Sequence, residues 1–155
     1  MMVWVGMTSN GWTPLIFPHG VKINQIINRN TILETVVKPW AKNHFGNRQW
    51  TFQQDSAPAH KAKDTNACCR ANFPGFISSE EWPPRSPDLN LLDLSIWTIL
   101  EDKVDLKKYQ SIEELKGTLT REWEKIPEDH LRASIDSFIR CLRNCLSAKG
   151  DILER

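Results

Sequence analysis

No stretch of about 18 consecutive apolar residues occurs in the 155-residue sequence, so none of it reads as a transmembrane helix. The opening MMVWVGMTSNGW has no basic lead and only a very short apolar run, and it does not read as a secretory leader. Strong charge of one sign is also missing: the formal net charge is +1. A module that grips a phosphate backbone by charge alone would be more basic, so charge argues neither for nor against nucleic acid. Cysteine is sparse. Cys68 and Cys69 are adjacent, and Cys141 and Cys145 sit four apart in a helical pattern. Neither pair has zinc-site spacing with histidine partners, and all four read as reduced, structural thiols of an intracellular protein. There is no internal repeat, low-complexity run or clear linker. A single domain with a real hydrophobic core is expected at this length.

Tryptophan is abundant, with seven residues, and most are expected in the core, where large aromatics dominate the energetics. Met2 to Met7 reads as a strand, Ser9-Asn10-Gly11 as a hairpin turn, and Thr13 to Phe17 as the returning strand. Ile26 to Trp40 has helical periodicity, with Pro39 near its end. Trp50 to Gln54 reads as a third strand, Ala59 to Phe73 as one helix stopped by Pro74-Gly75, and Phe76 to Ser79 as a fourth strand. The proline-rich stretch Glu81 to Asn90 cannot be regular structure, and Leu91 to Val104 is a strongly apolar helix. Ser111 to Glu114 is a capping box that opens a helix running to about Lys125. Pro127 starts a last helix with the apolar stripe Leu131, Ile135, Phe138, Leu142 and Leu146. Strands mixed with crossover helices predict an α/β layer fold.

Two carboxylate positions stand out. Asp55 follows directly on a predicted strand, at the strand end where sites collect in open α/β sheets, and small residues after it leave room beside it. The alternative is that Asp55 caps the next helix. Asp93 lies in the first turn of the apolar helix, where the helix dipole favours an acid. Leucines flank it on both sides, so the helix reads as buried around nearly all its circumference, and a buried carboxylate needs a partner. No basic residue lies within a helical turn. A divalent cation shared with Asp55 would supply the partner, since magnesium takes one or two carboxylates plus waters and substrate phosphates. Two such ions ~3.5–4 Å apart would clamp the attacking and leaving oxygens of a phosphoryl transfer. A glycosidase also uses two carboxylates, but nothing in the loops points to an aromatic-lined sugar cleft.

The strings VWVGMTSNG, TFQQDSAPAHKAK, ISSEEWPPRSPDLN and LDLSIWTILEDKV together resemble the catalytic domain of mariner-type transposases, of the DDE/D superfamily, from about Met2 to about Lys149. The resemblance implies an RNase H-like fold, a mixed sheet flanked by helices. It also implies that the family's first strand, which carries its first catalytic Asp, is missing here, as are the helix-turn-helix units that bind transposon ends. The fold class expected is therefore α/β, an incomplete RNase H-like domain over residues 1–155. Asp55 matches the family's second catalytic Asp and Asp93 its third acid, with 37 residues between them. Both would hold Mg2+ or Mn2+ in a two-metal site. Asp88 belongs to the loop that shapes the site and is the second choice to Asp93 as metal ligand, His60 has a DNA-contacting or site-shaping role or is an ordinary helix-surface histidine, and Asn90 either shapes the site or caps the helix carrying Asp93.

The chain departs from the family pattern at Leu91, where Pro is usual, and at Leu94 and Arg85, where aromatics are usual. Pro at the first helical position is favoured rather than required. Glu34, Asp64, Glu80 and Glu81 are further acids, none on a strand beside Asp55 in this reading. The implied activity is metal-dependent DNA cleavage and strand transfer on transposon ends and target, by a homodimer in the nucleus. With the first Asp missing, the isolated chain is expected to have little or no such activity. The alternative is a non-catalytic nucleic-acid-binding or assembly module from a domesticated or decayed transposon.

Overall fold

The computed structural model describes residues 1–18, 22–82, 90–104 and 109–148, and of Asp93, Leu94, Cys141, Cys145 and Ala148 the backbone alone. Arg85 and Asp88 therefore lie outside the described residues, as does most of the proline-rich stretch. The architecture is mixed helix and strand, as an α/β class requires, with the strands much shorter than the sequence suggests. Among the described residues they form two separate two-stranded sheets instead of one mixed sheet. By its contacts the chain divides into two compact units: Met1–Gly6 with Trp12–Pro87, and Met7–Gly11 with Asp88–Arg155. Among the described residues no helix is long and apolar enough to cross a membrane.

The N-terminal hairpin forms where the turn residues place it. β1 (Met7–Thr8) pairs with β2 (Gly11–Trp12) across Ser9 and Asn10, and Trp4 bridges Ile16 antiparallel further out. One residue, Val5, lies between Trp4 and Gly6, while two, Pro14 and Leu15, lie between their partners Ile16 and Thr13 on the returning side. The extra residue falls at Pro14–Leu15. Pro14 has no N–H to give to a ladder, so the pair bulges there and regular strand is confined to the tip.

A continuous helical run follows: α1 (Gln25–Ile27), a π-helical segment (Asn28–Val37) and α2 (Lys38–Phe45). It begins at Asn24, whose side chain accepts from the Ile26 and Ile27 amides at 2.9 Å each. The run passes Pro39 and continues beyond Trp40, where the sequence reading ends it. Pro39 sits at the start of α2, directly after the wide π register, and wide turns leave its ring room against the preceding carbonyls. Gly46 ends α2 with φ 58°, a left-handed conformation that glycine adopts without strain.

β3 (Thr51–Phe52) and β4 (Gly75–Phe76) pair in parallel, Thr51 opposite Gly75 and Phe52 opposite Phe76. Parallel strands need a crossover, supplied here by α3 (Pro58–Lys61) and α4 (Lys63–Asn72). Gly75, read from sequence as a helix stop, is itself in the strand. A Cβ there would lie 2.7 Å from Thr51 Oγ1 and 3.1 Å from the Trp50 carbonyl oxygen. Gly75→Ala is therefore expected to cost about 1–3 kcal/mol through overpacking, measured by urea denaturation. An unchanged midpoint would contradict the close pairing.

The core of this unit is Ile32, Leu33, Val37, Cys69 and Phe73, with Trp4, Trp50, Phe52 and Phe76 packed against it. Trp82 and Trp123 are the buried tryptophans, whereas Trp4, Trp12, Trp40, Trp50 and Trp97 are half-buried. Cys68 and Cys69 are free thiols, and burial, with Cys68 beside it, pushes the Cys69 thiol up to about 12. The thiolate is the reactive form. Cys69 should thus resist iodoacetamide at pH 8 in the folded chain and react once unfolded, as read by mass spectrometry. Rapid native labelling would contradict this packing.

In the second unit a π-helical turn (Leu92–Ile96) leads into α5 (Trp97–Lys103), then α6 (Ile112–Glu124) and α7 (Glu128–Ala148). The N-cap half of the capping box forms, Ser111 Oγ accepting from Glu114 N at 3.1 Å, while Glu114 Oε2 reaches one residue further back and accepts from Gln110 N at 3.1 Å. Ile96 and Leu100 are buried, but Thr98, Glu101 and Asp102 are exposed and Leu91, Leu92, Trp97 and Ile99 half-buried. The Asp93 helix is amphipathic, not buried around its circumference as the flanking leucines suggest. The α7 stripe also fades along its length, from fully buried Leu131 to Leu146 at 78% exposed.

Candidate active-site carboxylate

The turn after β3 turns Asp55 into the centre of a closed set of hydrogen bonds. Asp55 Oδ1 accepts from Ala57 N at 3.0 Å, Ala57 O accepts from His60 N at 2.9 Å, and His60 Nδ1 meets Asp55 Oδ1 at 2.5 Å. Asp55 is therefore not the cap of the next helix. That helix, α3, starts at Pro58 with Ala57 before it and no side-chain cap. Proline at the first helical position has no N–H to satisfy, so the helix does not need the Asp55 oxygen, which closes an Asx turn instead.

The His60 hydrogen bond holds the Asp55 carboxyl below the usual carboxylate range, with the Ala57 amide adding to it and burial opposing it. An ionised carboxylate only accepts hydrogen bonds, so the Nδ1 of His60 is the donor and the ring tautomer is fixed. Both bonds fall on Oδ1. Among the described residues nothing bonds Oδ2, and the Asp55 side chain is 42% exposed while that of His60 is 18% exposed. One oxygen is thus anchored and the other is presented.

The other acids of this unit are already engaged. Glu34 pairs with Lys38, Asp64 with Arg29 and Glu80 with Arg70, while Glu81 accepts from Ser78 N and Oγ at 2.8 Å each. Those Ser78 bonds hold the Glu81 carboxyl below its ordinary range. Asp55 has no Lys or Arg partner among the described residues, which leaves its charge available to a cation. Among the described residues no group of three His, Cys, Asp or Glu side chains could hold a metal ion on its own.

Asp93 falls on the π-helical turn of the second unit, its side chain outside the described residues, and Asp88 lies outside them altogether. Asn90 Oδ1 accepts from Leu92 N at 3.2 Å, the bond expected of a residue capping the helix that carries Asp93.

Sequence reading missed the polar residues that brace Asp55. Buried Asn28 donates to Gln54 Oε1 at 3.4 Å, and Gln54 Nε2 reaches Cys69 Sγ at 3.8 Å, so the residue before Asp55 is tied to the core. Asn28 Oδ1, Arg29 Nε and Ser56 Oγ are buried without a partner among the described residues. Asn66 braces the other side. The one signal for Asn28 and Asn66 is their place inside helical runs, where asparagine is a poor helix former that competes for backbone bonds.

No protein-family model matches the chain. Among curated proteins it is 29% identical over 153 residues to the Tcb2 transposase of Caenorhabditis briggsae, which covers 97% of this chain and 52% of that protein. The Tc1 transposase of Caenorhabditis elegans gives the same identity and coverage. The Tc3 transposase of that species is 28% identical over 153 residues, covering 44% of its length. The chain is thus similar to transposases of transposable elements. It spans about half the length of the curated relatives it matches.

Proposed function

We propose that this chain carries part of the DNA-cutting and strand-transfer machinery of a DDE/D transposase of the mariner kind, built on an RNase H-like fold. The observation that carries the reading is Asp55: an ionised, half-exposed carboxylate past a parallel strand, with Oδ1 fixed by His60 and Oδ2 free of partners among the described residues. Asp55 Oδ2 would hold Mg2+ or Mn2+, and Asp93 is the further ligand that the sequence resemblance assigns. When bound, the metal supplies charge to the reacting phosphodiester oxygens. Asp55 supplies a fixed oxygen, and His60 keeps that carboxylate ionised and oriented.

DNA is the substrate class, and charge within the chain supports it. Residues 1–87 hold nine Lys and Arg against five Asp and Glu, an excess that the net charge of +1 conceals. Lys61 and Lys63, exposed on either side of Ala62, follow His60 directly. A second copy of the chain as partner and action in the nucleus belong to the same proposal. The test is fluorescence anisotropy with a short duplex oligonucleotide, with and without Mn2+. Binding should strengthen with Mn2+ in the wild type and not in Asp55→Asn. Metal-independent binding, equal in both, would overturn the assignment.

A further inference from the structure

Asn66 lies in the first turns of α4, is 8% exposed, and forms every hydrogen bond its amide can form. A side-chain amide offers two donors and two acceptor lone pairs. Asn66 Nδ2 donates to His60 O at 2.9 Å and Ala62 O at 3.2 Å, and Oδ1 accepts from Ser79 N at 3.2 Å and Ser79 Oγ at 3.3 Å. Its neighbour Thr65, fully buried, donates to Ala59 O at 2.9 Å.

These bonds explain why the helix expected over 59–73 is broken. Ala62 is extended, with φ −55° and ψ 134°, and separates α3 from α4. Helical backbone across Ala62 would give the Ala59 and His60 carbonyls amide partners. Side chains from Thr65 and Asn66 take those carbonyls instead. The break turns α3 so that His60 is held at both ends of its backbone, N–H to Ala57 O and carbonyl from Asn66, while its ring lies on Asp55.

We infer that Asn66 is a positioning residue for the Asp55 carboxylate, acting through His60: it clasps the His60 carbonyl to Ser79 beyond β4, and so fixes the ring on Oδ1 and presents Oδ2 to a divalent cation. The cation rests on the function proposed above; the clasp itself does not. Partners that orient a metal-binding group are worth about 10–100-fold in metal affinity. Asn66 acts one residue further out, so the lower end is expected.

The test uses the full chain, with two readouts. The ring nitrogens of His60 are followed by 15N NMR, and free Mn2+ is counted by electron paramagnetic resonance during a Mn2+ titration. Asn66→Ala should move the Nδ1 resonance away from its hydrogen-bonded position and weaken Mn2+ binding about tenfold. Ser79→Ala, which removes one bond of the four, should shift the same resonance in the same direction by less. Folded Asn66→Ala with wild-type ring nitrogens and Mn2+ affinity would overturn the inference. Should Asn66→Ala not fold, Ser79→Ala decides: a shifted Nδ1 supports the clasp and a wild-type spectrum overturns it. A wild-type chain that binds no Mn2+ sinks the metal assignment, and the ring nitrogens then decide the clasp alone.

Discussion

Asp55→Asn is expected to abolish Mn2+ binding at this carboxylate, a loss of more than about 100-fold, since a direct ligand should matter more than the groups that orient it. The substitution keeps the shape of the side chain. Its remaining oxygen can still accept from Ala57 N and the His60 ring, so the turn should survive. What disappears is the negative charge and the acceptor at Oδ2. The fold should feel this weakly, on the scale of an exposed ion pair, about 0–1 kcal/mol, because the group is 42% exposed. The carboxyl sits below its ordinary range in the folded chain, so its contribution is present above the unfolded value of ~3.9 and lost as pH falls through the lower folded value. Wild type and Asp55→Asn should therefore converge in stability in acid. Isothermal titration with Mn2+ and paired thermal melts measure both effects. Undiminished Mn2+ affinity in a folded Asp55→Asn would remove Asp55 from the site.

Leu33→Ala should have the largest effect on the fold. Leu33 is 0% exposed in the cluster with Ile32, Val37, Cys69 and Phe73. Truncation removes buried methyl groups and leaves a cavity in the cluster, at a cost of about 2–5 kcal/mol. That is a large share of the ~5–15 kcal/mol that holds a domain together. Phe52 belongs both to this cluster and to β3, three residues before Asp55, so loosening the core should also blur the site. Urea denaturation followed by circular dichroism measures the loss. A cost under 1 kcal/mol would mean that this cluster is not what supports the unit.

The features legible in the sequence are those fixed by near neighbours. The Ser111 capping box and the Ser9-Asn10 turn each need only residues within one turn of themselves. Asp55 was legible as a position past a strand. Its role as an Asx-turn residue on His60 was not, because Asp before a helix reads equally as a cap until Pro58 is seen to start the helix. The break at Ala62 was hidden for a different reason. Alanine favours helix, and the carbonyls that pull it open are taken by Thr65 and Asn66, side chains whose targets depend on the folded turn. The strands read too long because hydrophobic alternation reports which side chains face inward, not which backbone groups find partners. Pro14 cuts one ladder short, and β3 and β4 pair over two residues each.

The most direct measurement of Asp55 as a metal ligand is paramagnetic broadening of the 15N-labelled chain by substoichiometric Mn2+. If the ion sits on Asp55 Oδ2, the amides of Asp55, Ser56 and Ala57 and the ring of His60 should broaden first, ahead of exposed acids such as Glu113 and Glu128. Broadening that starts at those exposed acids, or leaves the Asp55 turn sharp at saturation, would contradict it.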